Sequence, residues 1–325
     1  MMNDIADPQM PSAASTAIIV PYFGEAPPWL PFFLKSCERN PGFDWILFSD
    51  FDLGSAPENV RHHRQSFDEF VTALEEGLEL NLDVVRKDSY KLTDLKPMLG
   101  HVFADILKPF DYWGWGDLDV IYGDLRKHFG SQLGQFDVIS CHTYLLSGHL
   151  AFLRNTQTMR SLFSCFGNWR KIVTLPTHQS FDESIMSMLF FRDHPDRQAF
   201  FNAPLFLPTA LVNGIDISAH FSERFSTFNR PRLLPNGRIG LVEEWYWDHG
   251  RLTSDAMGDR SLAYAHFSNW NTGRYAKGKV RRIPWTKGGM TIDERLKPPF
   301  DAFRINANGF FSMKYAVTNA KNSTP

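Results

Sequence analysis

The chain has 325 residues, 43% of them hydrophobic and 22% charged, enough to bury a sizeable core with the balance of an ordinary soluble globular protein. A formal net charge of −2 gives no global attraction to nucleic acid, and three widely spaced cysteines without a C-x-x-C pair indicate neither a disulfide framework nor a thiolate zinc site. The start lacks the basic and apolar regions of a signal peptide and no segment offers roughly 18 continuous apolar residues, so the expectation is a cytoplasmic protein with reduced cysteines. Residues 1–15, rich in Pro, Ala, Ser and Asp, read as a disordered leader. Ala17-Ile18-Ile19-Val20, stopped by Pro21, has the continuous apolar character of a buried parallel strand. The loop Pro21-Tyr22-Phe23 then sits at its carboxyl end, where open α/β sheets bind ligands.

Helical spacing over Trp29–Arg39 ends at Asn40-Pro41-Gly42, and Trp45-Ile46-Leu47-Phe48 is a second buried strand with Ser49-Asp50 at its end. Helical stretches follow around Phe67–Leu78 and Lys96–Leu107, giving an alternating α/β pattern that leads into an aromatic strand at 112–116. Strands are expected at Phe136–Ser140 and Leu150–Leu153, and helices at Thr156–Cys165 and Ser180–Phe191. From Phe201 onward, Pro, Gly and Asn punctuate short segments, as suits a half that shapes a pocket from loops. The expected architecture is one compact α/β unit: a nucleotide-binding half over residues 16–125 and an acceptor half over 126–325.

The strand Tyr112-Trp113-Gly114-Trp115-Gly116 runs into Asp117-Leu118-Asp119. Residues i and i+2 of an extended segment project to the same side, so Asp117 and Asp119 can reach one hard cation. Mg²⁺ or Mn²⁺ takes oxygen ligands and keeps positions for phosphate oxygens, which points to a diphosphate-bearing substrate. About one D-x-D is expected by chance in such a chain, and Asp50-Phe51-Asp52 is a second, so context and not spacing singles out the 117/119 pair. The aromatic excess, 29 Phe and 9 Trp, fits a well-filled core and leans slightly toward carbohydrate, whose rings lie on flat aromatic faces.

Tyr90-Lys91-Leu92-Thr93-Asp94-Leu95-Lys96-Pro97 followed by Trp113 to Leu125 with its D-x-D resembles a bacterial family of glycosyltransferases of polysaccharide gene clusters, of the GT-A fold; the resemblance covers residues 16 to 275. It implies a Rossmann-like mixed sheet flanked by helices and a nucleotide-sugar donor such as a UDP-sugar, with the diphosphate held through Mn²⁺ or Mg²⁺. In that resemblance Asp119 touches the metal, Asp117 reaches metal or ribose, and His266, in Ala265-His266-Phe267-Ser268, completes the metal site. A core histidine is the alternative for His266. Pro21, Tyr22, Phe23 and Asp50 fall in the donor-binding loops, and Lys91, Asp94 and Lys96 are candidates for donor or phosphate contact, with Pro97 opening a helix toward the anion; solvated lysines are the alternative.

His178 to Glu183 resembles the acidic element beneath the acceptor pocket, so Asp182 or Glu183 is the expected base, against the alternative that Ser180 and Glu183 form a capping box. Gly148 and His149, before an apolar strand, are placed against donor hydroxyls or phosphate. The basic tract Arg274, Lys277, Lys279, Arg281, Arg282 and Lys287 is a solvated tail, a diphosphate clamp, or a peripheral contact with the inner membrane face where a lipid-linked acceptor sits. The expected activity is transfer of a sugar to a glycan or lipid-linked acceptor in surface polysaccharide synthesis. Two rivals stand beside it. A metal-dependent phosphoryl or nucleotidyl transferase also uses paired acids, although no G-x-x-x-x-G-K-[ST] loop is present; a non-catalytic carbohydrate-binding protein explains the aromatics but not the acids.

Overall fold

A computed structural model of the protein describes residues 14–191, 205–224, 232–233, 237, 239–240, 242–267 and 285–313. The expected leader lies outside them except for Ala14 and Ser15, as does the basic tract except for Lys287. Contacts divide the chain into two compact units that interleave along the sequence. One takes Met1–Ala26, Asn40–Leu118 and Leu125–Arg224; the other takes Pro27–Arg39, Asp119–Asp124 and Phe225–Pro325.

The first unit is built on a nine-stranded sheet. Its apolar run Thr16–Pro21 is buried along nearly its whole length and pairs in parallel with Phe43–Ser49 on one side and Tyr112–Gly116 on the other. Val60–Arg64 extends the parallel part beyond Phe43–Ser49. Past Tyr112–Gly116, Leu150–Arg154 runs antiparallel to both its neighbours, and Val138–Ser140, Ile215–Ser222 and Leu205–Phe206 complete the row, with Thr209–Val212 folded onto Ile215–Ser222. The result is a mixed α/β sheet, as expected. In sequence the parallel strands lie in the order third, second, first, fourth, so the direction of winding reverses between Thr16–Pro21 and Tyr112–Gly116, the place where such sheets bind ligands.

Helix Phe67–Leu78 lies within the expected span. Ser66 and Glu69 form a reciprocal capping box at its start, and Phe70, Val71, Leu74 and Leu78 turn inward to join Ile46, Phe48, Trp113 and Leu95 in one core. At Gly114 the neighbouring strand comes so close that a Cβ would meet the Ala151 carbonyl oxygen at 2.0 Å, which accounts for a glycine inside a buried strand. The segment expected as a helix from Lys96 is instead a 3-10 helix, Ser89–Met98, followed by the short turns Leu99–Val102 and Ala104–Leu107. Pro97 therefore lies near the end of that 3-10 helix and opens no helix of its own. Thr156–Cys165 likewise divides into Gln157–Arg160 and a 3-10 turn, Leu162–Cys165.

The second unit holds the helix Leu30–Glu38, whose apolar spacing the sequence shows but whose partners it does not. A five-stranded sheet orders Arg251–Ser254, Glu244–Asp248, Ala302–Asn306, Gly309–Phe311 and Thr291–Ile292, and a separate ladder joins Val120–Tyr122 to Tyr264–His266. Phe32 stacks on Phe310 at 4.3 Å between centroids, and Trp247 stacks on Phe303 at 4.8 Å. Every tryptophan among the described residues is buried. The aromatic excess is core, and the slight lean toward sugar-binding faces falls away for these tryptophans. No helix among the described residues is long and apolar enough to cross a membrane.

Candidate active site

The strand Tyr112–Gly116 ends beside Thr16–Pro21, with Trp115 opposite Ile19, and delivers Asp117 at the point where the winding reverses. The Asp117 amide donates to the His149 carbonyl at 3.3 Å, continuing the ladder one residue past the strand. Lys96, 5% exposed, donates its ammonium to the Asp117 carboxylate and, at 2.7 Å, to the Gly148 carbonyl. Burial works against the Lys96 charge, but Asp117, Asp182 and Glu183 outweigh it and hold the ammonium above the ordinary lysine range.

Gly148 touches the other two acids. Its amide donates to Glu183 Oε1 at 3.2 Å, and a Cβ there would meet Asp182 Oδ2 at 2.7 Å and Glu183 Oε1 at 2.8 Å. Only a residue without a side chain lets this loop lie against two carboxyl groups. Asp182 is 3% exposed, and its buried Oδ1 has no hydrogen-bond partner among the described residues. Burial pushes its carboxyl well above the usual range; Lys96 pulls the other way, while Glu183, Asp94 and Asp117 add to the rise.

The turn carrying these acids is an unusual one. Ser180 adopts a left-handed φ of 55°, and Phe181–Ile185 forms a π-turn before the α-helix Met186–Phe191. Both features cost backbone energy and concentrate at functional sites. Ser180 Oγ accepts from the Ser184 amide at 3.4 Å, while Glu183 reaches Gly148, so the alternative capping box between Ser180 and Glu183 does not form. Asp94 fixes the turn by accepting from the Phe181 amide at 2.8 Å and the Gln179 amide at 2.9 Å. Lys91, fully buried, donates to Asp94 at 2.7 Å, to the Thr177 carbonyl at 3.0 Å and to the Ile172 carbonyl at 3.2 Å. Its three N–H donors are thus engaged inside the protein, which leaves none for a phosphate. Asp94, His178 and Asp182 offer ligand atoms within 4.8 Å of one another, but the Lys91 ammonium is already the cation at Asp94.

The loop after the first strand is tied to the end of the second. The Tyr22 amide donates to the Phe48 carbonyl at 2.9 Å, and the Gly24 amide donates to Asp50 Oδ1 at 2.9 Å. Asp50 is exposed and Tyr22 half-buried, whereas the Phe23 ring packs against Phe67 and Phe70 at 5.4 and 5.2 Å between centroids. Tyr22 and Asp50 therefore stand where a ligand can reach them, and Phe23 anchors the loop. Pro21 closes the strand itself.

In the second unit, the ladder of Val120–Tyr122 with Tyr264–His266 sets His266 opposite Val120, and the Phe267 amide donates to the Asp119 carbonyl at 3.1 Å. His266 Nε2 comes to 3.6 Å from Asp119 Oδ1, with the two side chains 9% and 13% exposed. Phe267, packed on Trp29 and Trp285 at 5.4 and 5.0 Å, and the Tyr122 carbonyl, accepting from Trp247 Nε1 at 2.8 Å, hold the two strands in place. A separation of 3.6 Å is too long for a hydrogen bond, while two donors of one ion at roughly 2.1 Å each stand about 3–4 Å apart. One carboxylate and one imidazole form a donor set that fits Mn²⁺.

His142 and Glu223 carried no signal in the sequence, yet they are buried beside His149. His142 Nε2 lies 3.1 Å from His149 Nε2, and His142 Nδ1 lies 3.6 Å from Glu223 Oε2. His149, expected at donor hydroxyls, is only 5% exposed, with both ring nitrogens in internal contacts.

A family model described as "Family of unknown function (DUF6625)" matches residues 18–313. No curated protein matches the chain. Among solved structures, the galactosyltransferase LgtC in complex with donor and acceptor sugar analogues is 13% identical at a TM-score of 0.30, over 48% of this chain and 64% of its own. The chain thus spans less than two thirds of that protein's length. Mouse xyloside xylosyltransferase 1 is 10% identical at 0.34, over 57% of this chain and 77% of its own. The glycosyltransferase GlyE of Streptococcus pneumoniae is 13% identical at 0.31, over 54% and 43%. Likenesses this low establish no activity.

Proposed function

We propose that this chain, which belongs to the DUF6625 family of unknown function, is a metal-dependent glycosyltransferase that moves a sugar from a nucleotide-sugar donor, a UDP-sugar in the first instance, to a hydroxyl of a glycan or lipid-linked acceptor. The observation that carries the reading is the position of Asp117, at the carboxyl end of a parallel strand where the winding of the sheet reverses, with Lys96 bound to it. Pathway and compartment follow the sequence resemblance: surface polysaccharide synthesis, in the cytoplasm, with peripheral contact at the inner membrane face.

The donor diphosphate is placed at that sheet edge, with Tyr22 and Asp50 toward the nucleoside. Asp119 and His266 would hold the divalent ion, and the fit of this pair supports the reading. When bound, the ion supplies Lewis-acid stabilisation to the charge that grows on the departing nucleoside diphosphate. Lys96 fixes the Asp117 carboxylate and keeps a positive charge beside it. Asp182 accepts the acceptor hydroxyl proton at Oδ1, which has no hydrogen-bond partner among the described residues, and a raised affinity for the proton suits a general base. Glu183, bound to the Gly148 amide, orients the loop beside it. Lys91 and Asp94 act at one remove, by holding the turn that presents Asp182.

Incubating the protein with a panel of nucleotide sugars and Mn²⁺, and measuring nucleoside diphosphate release, tests this reading. Release from one donor by the wild type, lost in Asp119→Ala and strongly reduced in Asp182→Asn, is expected. Release that is equal in the Asp119→Ala protein, or absent with every donor, would overturn it.

A further inference from the structure

We propose that the Tyr90 ring, buttressed by His178, is a platform on which a pyranose ring of the acceptor lies while one of its hydroxyls meets Asp182; the role of that sugar as acceptor rests on the function proposed above. Among the described residues Tyr90 is the only Phe, Tyr or Trp left exposed, with 60% of its surface open. Exposure alone would mean little, since single apolar side chains are common at surfaces. The setting of this ring is what points to a ligand.

That setting begins at the buried acid. Asp94, His178 and Asp182 offer oxygen and nitrogen atoms within 4.8 Å of one another; the two carboxyl groups are buried, and His178, with 28% of its side chain exposed, is the member of the trio that reaches solvent. The His178 ring carries this opening on to Tyr90, their centroids 4.9 Å apart and their planes inclined at 61°. Asp182 Oδ1 has no hydrogen-bond partner among the described residues, and a buried acceptor in that state is costly until a donor arrives. A sugar hydroxyl is such a donor. Contacts run in one series from Asp117 through Lys96 and Gly148 to Asp182, and on through Asp94 and His178 to Tyr90. Tyr90 and Lys96 stand near opposite ends of the 3-10 helix Ser89–Met98, whose rise of about 2 Å per residue sets them roughly 12 Å apart. That length leaves room for a sugar between the phosphate position and the platform.

Both rings rise from anchored backbone. The Tyr90 amide donates to Asp88 Oδ1 at 3.1 Å, and its carbonyl accepts from Thr93 Oγ1 at 2.8 Å. Lys91, the next residue, donates at 3.0 Å to the carbonyl of Thr177, the residue before His178, and the Gln179 amide on its other side donates to Asp94 at 2.9 Å. The platform is therefore set before a ligand arrives, which lowers the ordering cost of binding. Chemistry selects the occupant. The face of an aromatic ring is the negative part of its quadrupole and attracts polarised C–H bonds, which a pyranose gathers on its face while its rim carries hydroxyls. Tyr90 takes the face, and Asp182 takes a rim hydroxyl.

Saturation-transfer NMR with methyl glucopyranosides, galactopyranosides and mannopyranosides tests the platform without any donor. The wild type should pass saturation to the ring C–H protons of at least one of them. Tyr90→Ala should bind that glycoside about tenfold more weakly, and Tyr90→Phe, which keeps the ring, should bind it close to the wild-type level, with thermal unfolding verifying that each variant is folded. In donor turnover with the same glycoside, the loss in Tyr90→Ala should fall on its KM more than on kcat. No binding of any of these glycosides by the wild type, equal binding by Tyr90→Ala, or a loss of UDP affinity in place of glycoside affinity would overturn the proposal. Ring-dependent glycoside binding by a protein that releases no nucleoside diphosphate from any donor would uphold the sugar site and refute the transfer reaction. Nucleotide release with the glycoside KM unmoved in Tyr90→Ala would do the reverse.

Discussion

Gly148→Ala is the sharpest probe of how the acids are assembled. The added methyl would sit 2.7 Å from Asp182 Oδ2, 2.8 Å from Glu183 Oε1 and 2.9 Å from Glu183 Cγ. Ordinary contact begins near 3.4 Å, so the acids must retreat by about 3.4 − 2.7 = 0.7 Å. Glu183 can swing its tip, but its Cγ cannot follow as freely, and Asp182 is short, buried and set on a turn pinned by Asp94. Overpacking of this kind costs about 1–3 kcal/mol. A displacement approaching 1 Å at the reacting groups costs on the order of 100-fold in rate. Thermal unfolding and steady-state nucleotide release should therefore show a modest loss of stability and a fall in kcat of roughly 10- to 100-fold. Mn²⁺ affinity, which rests on Asp119 and His266, should hold. A Gly148→Ala protein with wild-type melting temperature and kcat would refute the placement of these acids against the loop.

Lys91→Met should leave the Asp94 carboxylate buried without its cation and destabilise by about 3–5 kcal/mol in urea titration, with much of the loss recovered by adding Asp94→Asn. Asp182→Asn should lower kcat about 100-fold or more while leaving the dissociation constant for UDP unchanged, because the base acts only on the acceptor proton. His220 is held at about 4, by burial and then by the Arg224 charge, below its ordinary 6.5. The folded state thus disfavours protonated His220, so its stability is full above about 6.5 and declines as pH falls toward 4; urea midpoints at pH 7 and pH 5 should differ less in His220→Gln than in wild type.

How much of this was legible depended on whether the cause was local. Ala17 to Val20 and Trp45 to Phe48 announce buried parallel strands because both faces are covered and no alternation is needed. Asp117 was visible because two glycines and two tryptophans immediately before it mark a buried strand ending in acid. Lys91 was misplaced among ligand contacts because a lysine in a polar stretch looks solvated. What buries it are carbonyls 81 and 86 residues away. Leu30–Glu38 has an apolar stripe that any neighbour could cover, and only the folded chain assigns it to the second unit. The Ser180 turn was hidden for a different reason: serine rarely takes a left-handed φ, so the residue suggests an ordinary cap. The second unit's sheet is built from short strands whose partners lie far apart, such as Glu244–Asp248 beside Ala302–Asn306, and local periodicity is weak there.

A metal-dependent nucleoside diphosphate site can be read by calorimetric titration of the wild type and Asp119→Ala with UDP and with GDP, each with and without Mn²⁺. UDP should bind the wild type only when Mn²⁺ is present, and Asp119→Ala should abolish this binding. Failure of both nucleotides to bind the wild type with Mn²⁺, or equal binding by Asp119→Ala, would contradict it.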